Sequence, residues 1–244
     1  ACTNASEAPR PPKGGVSEDK FWQNPFQGAG GSVGGRGKVE DDDEVRARYL
    51  DRVFHLAALP RDLPSWSVAI DAGNGMNGFI LPEFVKRLPT LKIEPLYWEL
   101  DGSFPNHEAN PLKTETLTEL RKTVINTGCA LGFAFDGDGD RVGFVDEEGT
   151  PIPGDLLTAL LARELLQECG TGRILYDLRS SWSVPEVIRE NGGEPAMCRV
   201  GHAHIKKQMQ AEQAMFAGEL SMHFYFAEFW YAESSDYAVL LLLK

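Results

Sequence analysis

Residues 135–141 read Phe-Asp-Gly-Asp-Gly-Asp-Arg, with three carboxylates at alternate positions, a glycine between each pair and an arginine at the end. Hard divalent cations take oxygen ligands, and Asp136, Asp138 and Asp140 offer three of them within one short loop. Gly137 and Gly139 let the backbone fold tightly where side chains would crowd an ion. Arg141 is no cation ligand, so its place beside the carboxylates points to a second, anionic guest such as a phosphate. A metal and a phosphate at one loop are the ingredients of phosphoryl-transfer chemistry.

A calcium loop is the strongest rival. The three aspartates fit positions 1, 3 and 5 of the EF-hand pattern and Glu147 fits position 12, but position 6 needs glycine for its sharp turn and is Arg141. The flanks, Leu131-Gly-Phe-Ala-Phe135 and Val142-Gly-Phe-Val145, read as buried strands rather than the helices an EF-hand needs. A plain solvated acidic turn fits poorly too, because such turns seldom sit between two apolar strands. The pattern therefore predicts strand–loop–strand with a metal at the turn.

The elements that must hold this loop alternate in type. Residues 1–38 carry eight glycines and four prolines and read as loop, linker or tail. The acidic run Glu40–Glu44 opens a helix that continues through Val45–His55. Strand 66–71 ends in a Gly-Asn-Gly turn, and helix 78–88, strand 92–98, helix 113–126, strand 130–135 and strand 142–146 follow. After Pro151 and Pro153 a second series begins: helix 154–168, strand 173–177, helix 183–191, strand 195–199, helix 203–211, strand 214–218 and a β-rich end. Two such series predict two successive α/β domains with mostly parallel mixed sheets, whose ligands sit at the carboxyl ends of strands.

Composition narrows the partners. A formal net charge of −12 over 244 residues argues against nucleic-acid binding, and the longest late apolar run, Tyr237–Leu243, is too short to cross a bilayer. No signal-peptide pattern opens the sequence, and Cys2, Cys129, Cys169 and Cys198 are scattered without a Cys-x-x-Cys pair. With Cys129 and Cys198 in or beside apolar segments, reduced, buried thiols in a cytoplasmic protein are expected.

The aspartate loop resembles the metal-binding loop of the α-D-phosphohexomutases, the phosphomannomutase/phosphoglucomutase family. Four further stretches agree in that family's order: Val68-Ala-Ile-Asp-Ala-Gly-Asn-Gly75, Asp101-Gly-Ser-Phe-Pro-Asn-His-Glu-Ala-Asn-Pro-Leu112, Gly201-His-Ala-His-Ile-Lys206 and Gly218-Glu-Leu-Ser-Met-His223. The last is similar to the family's sugar-reading loop, and together the matches span residues 66–236.

The resemblance implies a phosphoserine that gives its phosphoryl group to a hexose monophosphate, and a bisphosphorylated sugar that turns round and returns its other phosphate. It implies Mg²⁺ at Asp136, Asp138 and Asp140, and Arg141 contacting the phosphoryl group or assisting proton transfer, set against a structural salt bridge to the acidic cluster. It places Glu219 and Ser221 on sugar hydroxyls, and His202 in the same cleft as a substrate contact or proton-transfer aid. His107 is expected to fix its own loop by hydrogen bonds. Arg179 stands where the family carries a substrate-contacting lysine, which keeps the charge but not easy deprotonation. Val200 replaces a threonine, Met222 replaces a glycine or alanine and is expected to narrow the sugar loop, and Leu220 favours mannose or glucose phosphates over glucosamine phosphate.

For the phosphoserine the nearest match is Ser6, in Asn4-Ala-Ser-Glu-Ala-Pro9, where Glu7 is a poor neighbour for a phosphate. By resemblance, residues 1–44 are a remnant of domain 1 with a linker, 45–152 a metal-binding α/β domain and 153–244 a sugar-binding α/β domain. Domain 4 and most of domain 1 are then expected on a longer protein, leaving this polypeptide by itself unable to complete a mutase cycle. The alternative function is a non-catalytic binding or structural module that keeps the mutase fold.

Overall fold

Strict two-residue alternation in the strands builds the layers. The computed structural model describes residues 42, 44–61 and 63–244. Its first sheet has the order β2-β1-β3-β4-β5, from β1 (Ser67–Asp71), β2 (Lys92–Leu96), β3 (Leu131–Phe135), β4 (Val142–Val145) and β5 (Pro151–Ile152). Strands β2, β1 and β3 run parallel, and β4 and β5 continue the sheet antiparallel. The second sheet repeats this plan in the order β10-β9-β8-β6-β7, from β6 (Arg173–Asp177), β7 (Glu194–Cys198), β8 (Phe216–Gly218), β9 (Phe224–Phe226) and β10 (Ala232–Glu233). Again three strands pair in parallel, and β9 and β10 are added by antiparallel pairings, so that β9 alone of these five runs against the others.

Val68, Ile70, Phe133 and Phe135 of the first sheet share one core cluster with Ile174, Tyr176, Phe216, Phe224 and Phe226 of the second. The residues between them, Ala69 and Ala134 in one sheet and Leu175, Ala217 and Tyr225 in the other, enter two separate clusters on the opposite faces. The shared layer holds α1 (Val45–Ala57), α2 (Asn77–Lys86), α4 (Gly154–Cys169), α5 (Ser183–Glu190) and α7 (Ser235–Leu243). Helix α3 (Thr118–Thr127) covers the outer face of the first sheet and α6 (His202–Glu212) that of the second. Gly132 lets α3 approach closely, since a Cβ there would meet Val124 Cγ2 at 2.6 Å and Val145 Cγ2 at 2.7 Å.

Among the differences from the sequence expectation, the end expected to be β-rich closes in helix α7 after β9 and β10, and two boundaries shift for a local reason. Helix α3 starts at Thr118 rather than 113, because Thr116 and Thr118 donate back to the carbonyls of Lys113 and Glu115 at 2.7 Å and offer the backbone turns instead of helix. Strand β2 stops at Leu96 because Tyr97 takes a left-handed φ of 55°. Cys129 and Cys198 are buried, free thiols. Among the described residues no helix is long and apolar enough to cross a membrane.

Candidate functional site

Four buried carboxylates stand at or just beyond the carboxyl ends of parallel strands: Asp71 after β1, Asp136 after β3, Asp177 after β6 and Glu219 after β8. Each organises the loop that follows it. Asp71 accepts from Gly73 N at 2.8 Å and faces His107 Nε2 at 3.0 Å. His107 Nδ1 also faces the carbonyl of Glu108 at 2.8 Å, so both ring nitrogens look at acceptors; the bond to Asp71 raises its pKa. This histidine fixes its loop. Asp177 accepts from Arg179 N at 2.8 Å and from Leu220 N at 2.9 Å, which reaches it from the neighbouring loop.

The aspartate loop is the connection of an antiparallel hairpin, with Phe135 paired to Val142. Strands on both sides remove the EF-hand reading. Asp136 Oδ1 accepts from Gly139 N and Arg141 N, each at 3.0 Å, and its Oδ2 accepts from Arg141 Nε at 2.5 Å. Burial pushes the Asp136 carboxyl up in pKa and its bonds to Arg141 pull it back. Asp138 is exposed and makes no hydrogen bond among the described residues. One oxygen from each of Asp136, Asp138 and Asp140 lies within 4.8 Å of the others. Around an octahedral Mg²⁺ with oxygens at about 2.0–2.1 Å, adjacent ligands stand about 2.9 Å apart and opposite ones about 4.1 Å, so the carboxylates would draw together by up to about 2 Å on taking an ion. Three hard oxygen donors converging in this way fit a divalent cation. Arg141 makes the structural salt bridge through Nε alone, and its two terminal nitrogens have no hydrogen-bond partner among the described residues, leaving that edge of the fork for an anion.

The second loop meets the first. Arg141 and His223 form a main-chain bridge, and Val142 N approaches the Met222 carbonyl at 3.4 Å. His223 Nε2 stands 3.3 Å from Asp140 Oδ1, while Nδ1 stands 3.3 Å from Glu219 Oε2 and 3.1 Å from Ser221 Oγ. Burial opposes charge on this ring, but the two carboxylates outweigh it and carry the pKa up to about 9. Glu219 responds in the other direction. Burial pushes its carboxyl up, and His223, the Tyr225 hydroxyl at 2.7 Å and Gly201 N at 3.2 Å together bring it down to about 2. Imidazolium and carboxylate are therefore the charge states at neutral pH.

Of the other residues singled out in the sequence, Arg179 reaches this bridge. Arg179 is held by Asp177 through Nε at 3.2 Å and Nη2 at 2.5 Å, and Nη2 stands 3.9 Å from Glu219 Oε1. His202 is exposed on the first turn of α6 and makes no hydrogen bond among the described residues. Ser6 lies outside the described residues. Reasoning from sequence passed over His223, Tyr225, Asp71 and Asp177. The signal for the two aspartates was a carboxylate closing an apolar strand; for His223 it was a histidine four residues after Glu219 in the same loop.

Met222 does not reach into the cleft. Its side chain is buried against β4, where a Cβ on Gly143 would lie 2.9 Å from its Sδ. Its φ of 68° is left-handed, at a cost of about 1–2 kcal/mol for a non-glycine residue. Truncation should lose about 2–5 kcal/mol of packing, yet Met222→Gly should be more stable than Met222→Ala by about 1 kcal/mol. That reverses the usual order of the two residues, and thermal denaturation of both variants checks it.

Comparison with known proteins follows the same division of the chain. Residues 47–149 match the family described as phosphoglucomutase/phosphomannomutase, alpha/beta/alpha domain II, and residues 153–244 match its alpha/beta/alpha domain III. A phosphomannomutase of Methanocaldococcus jannaschii is 50% identical over 181 residues, covering 72% of this chain and 39% of the relative. A phosphomannomutase/phosphoglucomutase of Pseudomonas aeruginosa PAO1 is 37% identical over 211 residues, covering 86% of this chain and 44% of the relative. The crystal structure of a phosphoglucomutase/phosphomannomutase family protein from Burkholderia thailandensis superposes with a TM-score of 0.74 at 33% identity, over 82% of this chain and 43% of that one. The chain thus spans about two fifths of the length of such relatives.

Proposed function

Because the chain belongs to the phosphoglucomutase/phosphomannomutase family, we infer that it carries the metal-binding and sugar-reading part of an isomerase interconverting hexose 1-phosphate and hexose 6-phosphate, with mannose and glucose as the sugars. One observation carries this reading: the aspartate loop and the Glu219–Ser221 loop, from two different sheets, meet through His223 at 3.3 Å on either side. A phosphoryl group and a sugar hydroxyl brought to that seam would lie side by side, which is what transfer between them requires.

Asp136, Asp138 and Asp140 would hold Mg²⁺, which would neutralise charge on the transferring phosphoryl group. The free edge of Arg141 would take phosphoryl oxygens in a fork geometry. Glu219, held as a carboxylate by three neighbours, would accept from sugar hydroxyls, with Ser221 beside it donating or accepting. Arg179 and His202 would contact the substrate from the rim. Ser6 is the candidate phosphoserine, whose Oγ would give up its phosphoryl group to one sugar hydroxyl and take the other phosphate back. Domains 1 and 4 of the family would complete the cleft on the full-length protein. Substrates so highly charged do not cross a bilayer unaided, which supports a cytoplasmic place of action.

A purely structural module would have no use for an arginine fork left open beside three converging carboxylates, whereas a non-catalytic binder of sugar phosphates would share it with the enzyme and differ only in turnover. A coupled assay of the full-length protein on mannose 1-phosphate and glucose 1-phosphate, with a hexose bisphosphate and Mg²⁺, should show turnover of at least one. Saturable binding of both without turnover would favour the module instead.

A further inference from the structure

The back of the aspartate loop, away from the sugar loop, is gripped by residues that no ligand would touch. Ser235, on the first turn of α7 and buried, donates its hydroxyl to the carbonyl of Gly139 at 2.5 Å. The amide of the same glycine donates to Asp136 Oδ1 at 3.0 Å. Gly139 has a φ of +81°, and a Cβ there would stand 1.8 Å from Asn77 Oδ1. Its carbonyl is thus held by α7 and its nitrogen by Asp136 of the loop itself, while Asn77 of α2 packs against the face where a side chain would stand.

The grip extends further into the protein. Asn77 is buried and turns its Nδ2 toward Asp236 Oδ1 at 3.4 Å. Asp236 is buried in turn and accepts from the Tyr49 hydroxyl of α1 at 2.9 Å. Burial pushes the Asp236 carboxyl up to about 6, against the Tyr49 bond, so an ionised acid here is costly to the fold. The polar chain Tyr49–Asp236–Asn77 and the neighbouring Ser235 join α1, α2 and α7 behind the aspartate loop.

Gly139 lies between Asp138 and Asp140, and the tilt of its two peptide planes sets where those carboxylates project. We propose that Ser235 is a positioning residue for the aspartate loop, fixing the Gly139 peptide so that Asp136, Asp138 and Asp140 converge, with Asn77 as its partner on the other side of the glycine. The proposal rests on the reading of these aspartates as the Mg²⁺ site. Ser235 belongs to the last helix of the second sheet's unit, so it references the loop to the unit that carries Glu219 and Ser221. His223 pins Asp140 from the opposite side. The loop is thus set from both directions by the part of the chain that would read the sugar.

Groups that orient metal ligands from outside the coordination sphere typically change affinity by about 10–100-fold when lost. Calorimetric titration of the full-length protein with Mg²⁺ tests this on wild type, Ser235→Ala, Ser235→Thr, Asn77→Ala and Asp138→Asn, with the melting temperature of each recorded. Ser235→Ala should bind Mg²⁺ about tenfold more weakly, Ser235→Thr should restore most of the affinity through its hydroxyl, and Asn77→Ala should weaken binding to a similar degree. Should Ser235→Ala fail to fold, Asn77→Ala together with Ser235→Thr decides. If Asp138→Asn weakens binding while Ser235→Ala and Asn77→Ala match the wild type, the positioning role is wrong and the metal site stands. If Asp138→Asn binds like the wild type, the metal reading fails and this proposal with it.

Discussion

Replacing Asp138 with asparagine is expected to weaken Mg²⁺ binding at least tenfold and to cut hexose-phosphate turnover by about 10²–10⁴, because several kcal/mol of charge stabilisation at the transferring group would go with the ion. Stability should change by no more than about 0.5 kcal/mol, since exposed side chains without partners contribute little to it. Asp138 is the informative member of the three. Asp136 accepts three hydrogen bonds that shape the loop, and Asp140 faces His223, so changing either disturbs more than the ion. Asp138 is exposed and carries neither burden. Turnover and thermal denaturation of the variant separate the two effects. Unchanged turnover with unchanged Mg²⁺ affinity would remove the aspartate loop from the mechanism.

Most of this loop was legible because its information is local. Alternating Asp and Gly between two apolar strands fixes a tight, oxygen-rich turn, and the hairpin pairing Phe135 with Val142 is what those strands predict. The alternation of strands and helices was legible for the same reason. Where a residue's role depends on another sheet, the sequence said less. His223 is one polar residue in a short loop until the fold brings Asp140 to its other side. Met222 reads only as a bulky residue narrowing its loop until the fold shows its left-handed φ and its side chain packed against Gly143. Asp71 and Asp177 look like ordinary polar strand ends, and only their zero exposure and backbone partners show them stapling loops. For Arg141 the fold shows the salt bridge, made through Nε to Asp136, and the anion contact stays a proposal that the unpartnered terminal nitrogens allow.

Removing the His223 ring should be the most damaging single change to the seam between the two loops. The imidazolium stands between Asp140 and Glu219, with 22% of its side chain exposed. Breaking a buried ion pair by deleting one partner costs about 3–5 kcal/mol, because the remaining charge is stranded. Glu219, at 3% side-chain exposure, would keep only the Tyr225 hydroxyl, Gly201 N and Arg179 at 3.9 Å, while Asp140 at 40% can turn to water. His223→Ala is therefore expected somewhat below that range, about 2–3 kcal/mol less stable. Adding Glu219→Gln removes the stranded charge, so the double variant should be about 1–2 kcal/mol more stable than the sum of the single changes predicts. The lost cation also leaves Asp140 repelling Asp136, so added Mg²⁺ should raise the melting temperature of His223→Ala more than that of the wild type. Denaturant unfolding of the four proteins in the cycle gives the first two quantities, and thermal denaturation of wild type and His223→Ala with and without Mg²⁺ gives the third. A His223→Ala protein within about 0.5 kcal/mol of the wild type, the range of an ordinary surface change, would mean that the loops meet without this bridge. The Glu219 loop and the aspartate loop would then be held together by the main-chain contacts of Arg141 and Val142 with His223 and Met222, and by Ser235 on the Gly139 carbonyl.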